Sequence, residues 1–80
     1  MTTKTKNTAD TLEDIRTAIF SLAYQAEMEA QYGDGSIPLG PLRRAVSSLS
    51  DVYGDLTDPV LGRELFRLAL LTAERRVGGD

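Results

Sequence analysis

Apolar residues recur along most of the chain at the spacing of an α-helix, and no segment alternates as a strand would. Leu12, Ile15, Ile19, Leu22 and Ala26 follow one another at intervals of three and four, which places them on one helical face. The spacing predicts a helix from Thr11 to Gln31, roughly 30 Å long at about 1.5 Å per residue. Asp10 is placed to cap it, with Glu13 three residues on as the second half of a capping box. Tyr32-Gly33 ends it, with Gly33 expected to supply a left-handed cap. The Gly- and Pro-rich segment from Gly33 to Pro41 cannot continue a helix.

Pro41 suits the first position of a second helix, expected from Pro41 to Tyr53, since its missing N–H would be unpaired there anyway. Leu42, Ala45, Val46, Leu49, Val52 and Tyr53 form the second amphipathic face, and Gly54 is expected to stop it. Ser47, Ser48 and Ser50 are weak helix formers, so tertiary packing must hold this helix. Asp58 as cap with Pro59 at the first position predicts the start of a third helix. Leu61, Leu65, Leu68 and Thr72 make one stripe on it, and Phe66, Leu70, Ala73 and Val77 another. An apolar arc this wide predicts the most buried helix of the three. Arg75 and Arg76 suit its C-terminal end, and Gly78-Gly79 closes it. The expected fold is all-α: a compact antiparallel three-helix domain over residues 10–80. The polar Thr- and Lys-rich segment 1–9 is expected to be a disordered tail.

Eighty residues leave room for one domain and for no cleft between lobes. The chain has no Cys and no His, which removes thiolate chemistry, disulfides, zinc sites and imidazole catalysis. No apolar run approaches the length of a membrane span, and the N-terminus lacks the apolar core of a signal peptide. These features predict a cytoplasmic, non-enzymatic protein with no metal and no cofactor. The net charge of −3 and pI near 4.8 oppose direct nucleic-acid binding, which needs an excess of Lys and Arg. The acids are unevenly spread: residues 10–39 carry six acids and only Arg16.

Antiparallel packing is expected to gather Asp10, Glu13, Asp14, Asp51, Asp55 and Asp58 at one pole. Capping explains part of this set, because acids are favoured at helix starts by about 0.3–1 kcal/mol each. It does not explain Asp51 and Asp55, and the functional reading is an acidic patch that docks on a basic groove. Phe20, Tyr24 and Met28 form a second strip on the first helix, at intervals of four. Either the strip closes the core against the third helix, or it is an exposed surface for a partner or a dimer seam. Arg43-Arg44 is read as a solvated pair facing Glu27, Glu29 or Asp34, with anion contact as the alternative. Gly33-Asp34-Gly35-Ser36 lacks the acids of a calcium loop and the Lys of a phosphate loop, so it reads as a turn.

Three function classes follow. An enzyme would have to work without His, Cys or a framed acid pair. A helix-turn-helix DNA reader would present Arg63 and Arg67, but its recognition helix would begin beside Asp55 and Asp58, which repel phosphate. An interaction protein fits the small, acidic, all-helical character best. In size, acidity and helix content the whole chain resembles the small helical inhibitors of bacteriophages, including anti-CRISPR proteins. The resemblance implies action inside a bacterial host, on a Cas protein or the RNA-guided Cascade surveillance complex, with target-DNA binding blocked by the acidic surface. The runner-up is a housekeeping helical adaptor that binds a protein partner through Phe20, Tyr24 and Met28.

Overall fold

The computed structural model describes residues 8–78, and among them the only regular elements are three helices. α1 spans Thr8–Tyr32, α2 Leu39–Leu56 and α3 Pro59–Gly78, and each packs against the other two. The Tyr32 hydroxyl at the end of α1 donates to the Val77 carbonyl at the end of α3, at 3.4 Å. α1 and α3 therefore finish at the same end of the bundle, and α2 returns between them. The expected tail lies outside the described residues except for Thr8 and Ala9, which belong to α1.

The helix boundaries depart from the expected ones for identifiable reasons. α1 starts earlier, so Asp10 sits within its first turn, where the dipole favours an acid, instead of at the cap. Gly33 ends α1 without a left-handed backbone; among the described glycines only Gly35 has a positive φ, +88°. What Gly33 provides is room. Its N–H donates to the Glu29 carbonyl at 3.0 Å, and a Cβ there would collide with the Glu29 carboxylate and backbone. α2 begins at Leu39, which leaves Pro41 in the first turn, where a missing N–H breaks no hydrogen bond. α2 also runs through Gly54 to Leu56. Its end is held by the Thr57 N–H and hydroxyl, which donate to the Tyr53 carbonyl at 3.0 and 2.7 Å. The start of α3 is as expected: the Asp58 carboxylate accepts from the Val60 N–H at 2.8 Å.

The core is built from small residues. Ile19, Ala23, Val46, Leu65, Ala69 and Ala73 form its buried cluster, and Ala26, Val77 and Ser50 are also buried. Ser50 satisfies its hydroxyl by donating to the Val46 carbonyl at 2.9 Å. At the α2–α3 crossing Gly54 and Gly62 meet backbone to backbone, and both are buried. α3 carries more buried residues than either other helix, as expected, but not all the expected ones. Its buried line is Gly62, Leu65, Ala69, Ala73 and Val77, while Leu61 and Leu68 remain 52% and 51% exposed. Small residues let helices approach closely, and a close approach admits Gly and Ala to the seam while the larger side chains stay outside it. Val52, expected in the α2 face, is exposed for the same reason.

Candidate interaction surfaces

The sequence-nominated carboxylates all lie at the surface, but they do different things. Asp58 caps α3. Glu13 approaches Arg16 at 3.9 Å in an exposed pair, a contact worth little in water. Asp10 and Asp14, also near the start of α1, are each engaged in an interaction. Asp51 and Asp55 are placed otherwise. They project one turn apart from α2 into an open groove of about 610 Å³ between α2 and α3. Ser47, Ser50, Arg63, Phe66, Pro59 and the Gly54–Gly62 crossing complete its lining, and no α1 carboxylate contributes to it. Among the described residues no three carboxylates converge closely enough to hold a metal ion. The groove thus gathers Asp51 and Asp55, and the other four acids of the expected pole lie outside its lining.

The groove exists because of the glycine crossing. With no side chain at Gly54 or Gly62, the two backbones meet and no side chain from either position fills the floor of the groove. Asp51 and Asp55 sit in the C-terminal half of α2, whose last turn carries no basic residue. In the last turn the helix dipole disfavours Asp55 by roughly 0.3–1 kcal/mol, an effect that has largely died away at Asp51. Neither makes a hydrogen bond or ion pair with another described residue, so local structure gives no return for their placement. Arg63, the residue a DNA reader would extend toward phosphate, faces this same acid-lined groove.

The strip of Phe20, Tyr24 and Met28 is divided between core and surface. Phe20 is half-buried against the core, and Tyr24 and Met28 are 38% and 37% exposed. Two guanidinium groups cover its rings: Arg16 lies 5.3 Å from the Phe20 centroid and Arg76 5.4 Å from that of Tyr24. Both distances are within cation–π range. The strip therefore already has partners within the chain. Arg43 shares a cavity of about 210 Å³ with Glu27 and Glu74, walled by Phe66 and Leu70. The α1–α2 loop is a turn: the Asp34 carboxylate accepts from the Ser36 N–H at 2.9 Å.

Leu61 and Leu68, which the sequence reading placed in an apolar stripe of α3, belong instead to an exposed apolar surface. Leu61, Leu68 and Leu71 on α3 are each about half exposed, and Leu61 and Leu68 share a shallow depression with Tyr53 and Glu64. The signal was present in the sequence as intervals of three and four from Leu61 through Glu64, Leu68 and Leu71 to Arg75. Among the described residues no helix is long and apolar enough to cross a membrane. Comparison of the chain with protein-family models, curated proteins and solved structures gives no match.

Proposed function

We propose that this chain is a non-enzymatic inhibitor that occupies a basic, nucleic-acid-binding surface of a protein target. By its resemblance to anti-CRISPR proteins, the target is a CRISPR-Cas surveillance complex in the host cytoplasm, and the step blocked is target-DNA binding. The observation that carries the reading is the pair Asp51 and Asp55. They stand exposed in an open groove in the C-terminal half of α2, Asp55 in the last turn where an acid is disfavoured, and neither pairs with another described residue. A basic partner would add counter-charge beyond Arg63, which lines the same groove, and gain charge-assisted contacts to both carboxylates. The adaptor reading has less support, because Arg16 and Arg76 already cover the rings on which it rests.

The test is a mobility-shift competition with a purified type I surveillance complex and its target duplex. The chain should lower DNA binding, and Asp51→Lys with Asp55→Lys should remove that effect. Phe20→Ala with Tyr24→Ala should retain it if the variant stays helical. Inhibition should weaken as salt rises from low to high concentration, as expected for exposed charges. Full inhibition by the charge-reversed variant would remove the groove from the mechanism. No interaction with the complex at all would remove the proposed target.

A further inference from the structure

The outward face of α3 carries a pattern that fits a second copy of the same helix. Leu61, Glu64, Leu68, Leu71 and Arg75 recur at the intervals of a coiled-coil seam. The three leucines are 52%, 51% and 56% exposed, so the bundle does not use this seam for its own core. Arg67 and Glu74 flank it, both exposed, and Glu74 also borders the cavity that holds Arg43. We infer that two copies of the chain associate through this face in an antiparallel, two-fold arrangement.

The charges choose the direction and the register. When Leu68 faces the partner's Leu71, the same register sets Glu64 opposite the partner's Arg75. Arg67 then stands near the partner's Glu74 along the flank. A two-fold axis repeats each contact, so one apolar centre is bracketed on both sides by opposite charges. Parallel pairing would set Glu64 on the partner's Glu64 and Arg75 on the partner's Arg75, and like charges oppose it. The inference stands apart from the inhibitor reading, since it uses none of the groove residues.

The test is the mass of the full chain in solution by light scattering or sedimentation at tens to hundreds of micromolar. The wild type should run at twice the 8.7 kDa of the chain. Leu68→Glu with Leu71→Glu should run as a monomer with an unchanged helical circular dichroism spectrum. A second series guards against an unfolded variant. Glu64→Arg alone, and Arg75→Glu alone, should each weaken the dimer about tenfold or more, and the two together should restore it. A monomeric wild type at the highest concentration would overturn the inference and leave the face to a different partner. So would a dimer that survives both leucine substitutions, or charge swaps whose losses add instead of cancelling.

Discussion

A single methyl group at Gly62 should open the bundle. An ideal Cβ there would lie 2.6 Å from the Ser50 carbonyl oxygen, 2.9 Å from Gly54 Cα and 3.0 Å from the Gly54 nitrogen. Ordinary van der Waals contact begins at 3.4 Å, so α2 and α3 must separate by about 0.8 Å at their crossing, the gap between 2.6 and 3.4 Å. All three obstructing atoms are backbone, and no rotamer change can move them aside. Overpacking of this kind costs about 1–3 kcal/mol, and a rigid obstruction belongs at the upper end. Alanine returns about 0.8–1 kcal/mol in helix propensity. Gly62→Ala should therefore destabilise the fold by about 2 kcal/mol, a fall in Tm of roughly 8–16 °C for a domain this size.

Gly40→Ala is the matched control. Its new methyl would meet only the Arg44 guanidinium, at 3.8 Å, so it should stabilise α2 by about 0.4–1 kcal/mol. Urea unfolding followed by circular dichroism reads both. Ser50→Ala should not rescue Gly62→Ala, because the obstruction at Ser50 is its carbonyl and not its hydroxyl. A Gly62→Ala protein at or above wild-type stability would refute the backbone-contact account of the crossing.

Three further outcomes follow from local contacts. Asp58→Ala removes the acceptor for the Val60 N–H and should cost about 1 kcal/mol, while Asp58→Ser keeps most of it in the same urea titration. Asp34 is held below the usual carboxylate range, first by the Ser36 hydroxyl and then by the Ser36 N–H. The turn stability this gives is full above the ordinary carboxylate pKa and is lost as pH falls through the lowered one; a carboxyl NMR titration that finds Asp34 at or above the ordinary value would contradict it. In a double-mutant cycle, Arg76→Ala and Tyr24→Ala should couple by about 0.5–1 kcal/mol, and additive losses would show that the guanidinium does no more than lie over the ring.

The helices were legible because apolar spacing and the Asp58-Pro59 start are local signals. The way α3 faces was not. Leu61, Leu68 and Leu71 outrank Gly62, Ala69 and Ala73 on any hydrophobicity scale, so a sequence reading sends the leucines inward. The fold does the reverse because the Gly54–Gly62 crossing brings the backbones into contact and fills the seam with small residues. Gly54 misleads in the same way: alone in the sequence it reads as a helix stop, and opposite Gly62 it is a packing residue. In the candidate site, Asp51 stood out as an acid near the wrong end of a helix, and Asp55 as one that capping does not explain. Their groove was not legible, since it depends on that same long-range contact. The α1 acids could not be separated from them until their own interactions were visible.

The two proposed surfaces occupy opposite sides of α3, which gives a further test of both. Residues two apart on a helix lie about 200° around its axis. Phe66 and Arg63 line the groove, while Leu68 and Leu61, each two positions away, lie in the exposed seam. A two-fold dimer closed through the seam therefore leaves both grooves open. Two acid pairs would then be fixed in one particle, and a target with two basic sites within reach would be held by both. Linked binding of this kind strengthens association by up to roughly 100-fold or more without any new contact. Leu68→Glu with Leu71→Glu keeps Asp51 and Asp55 intact, so it should still bind each site but inhibit DNA binding at much higher concentration. Potency equal to wild type would mean that one groove suffices and that dimerisation serves something other than target capture. Loss of binding even at a single isolated site would mean instead that the leucine face itself touches the target.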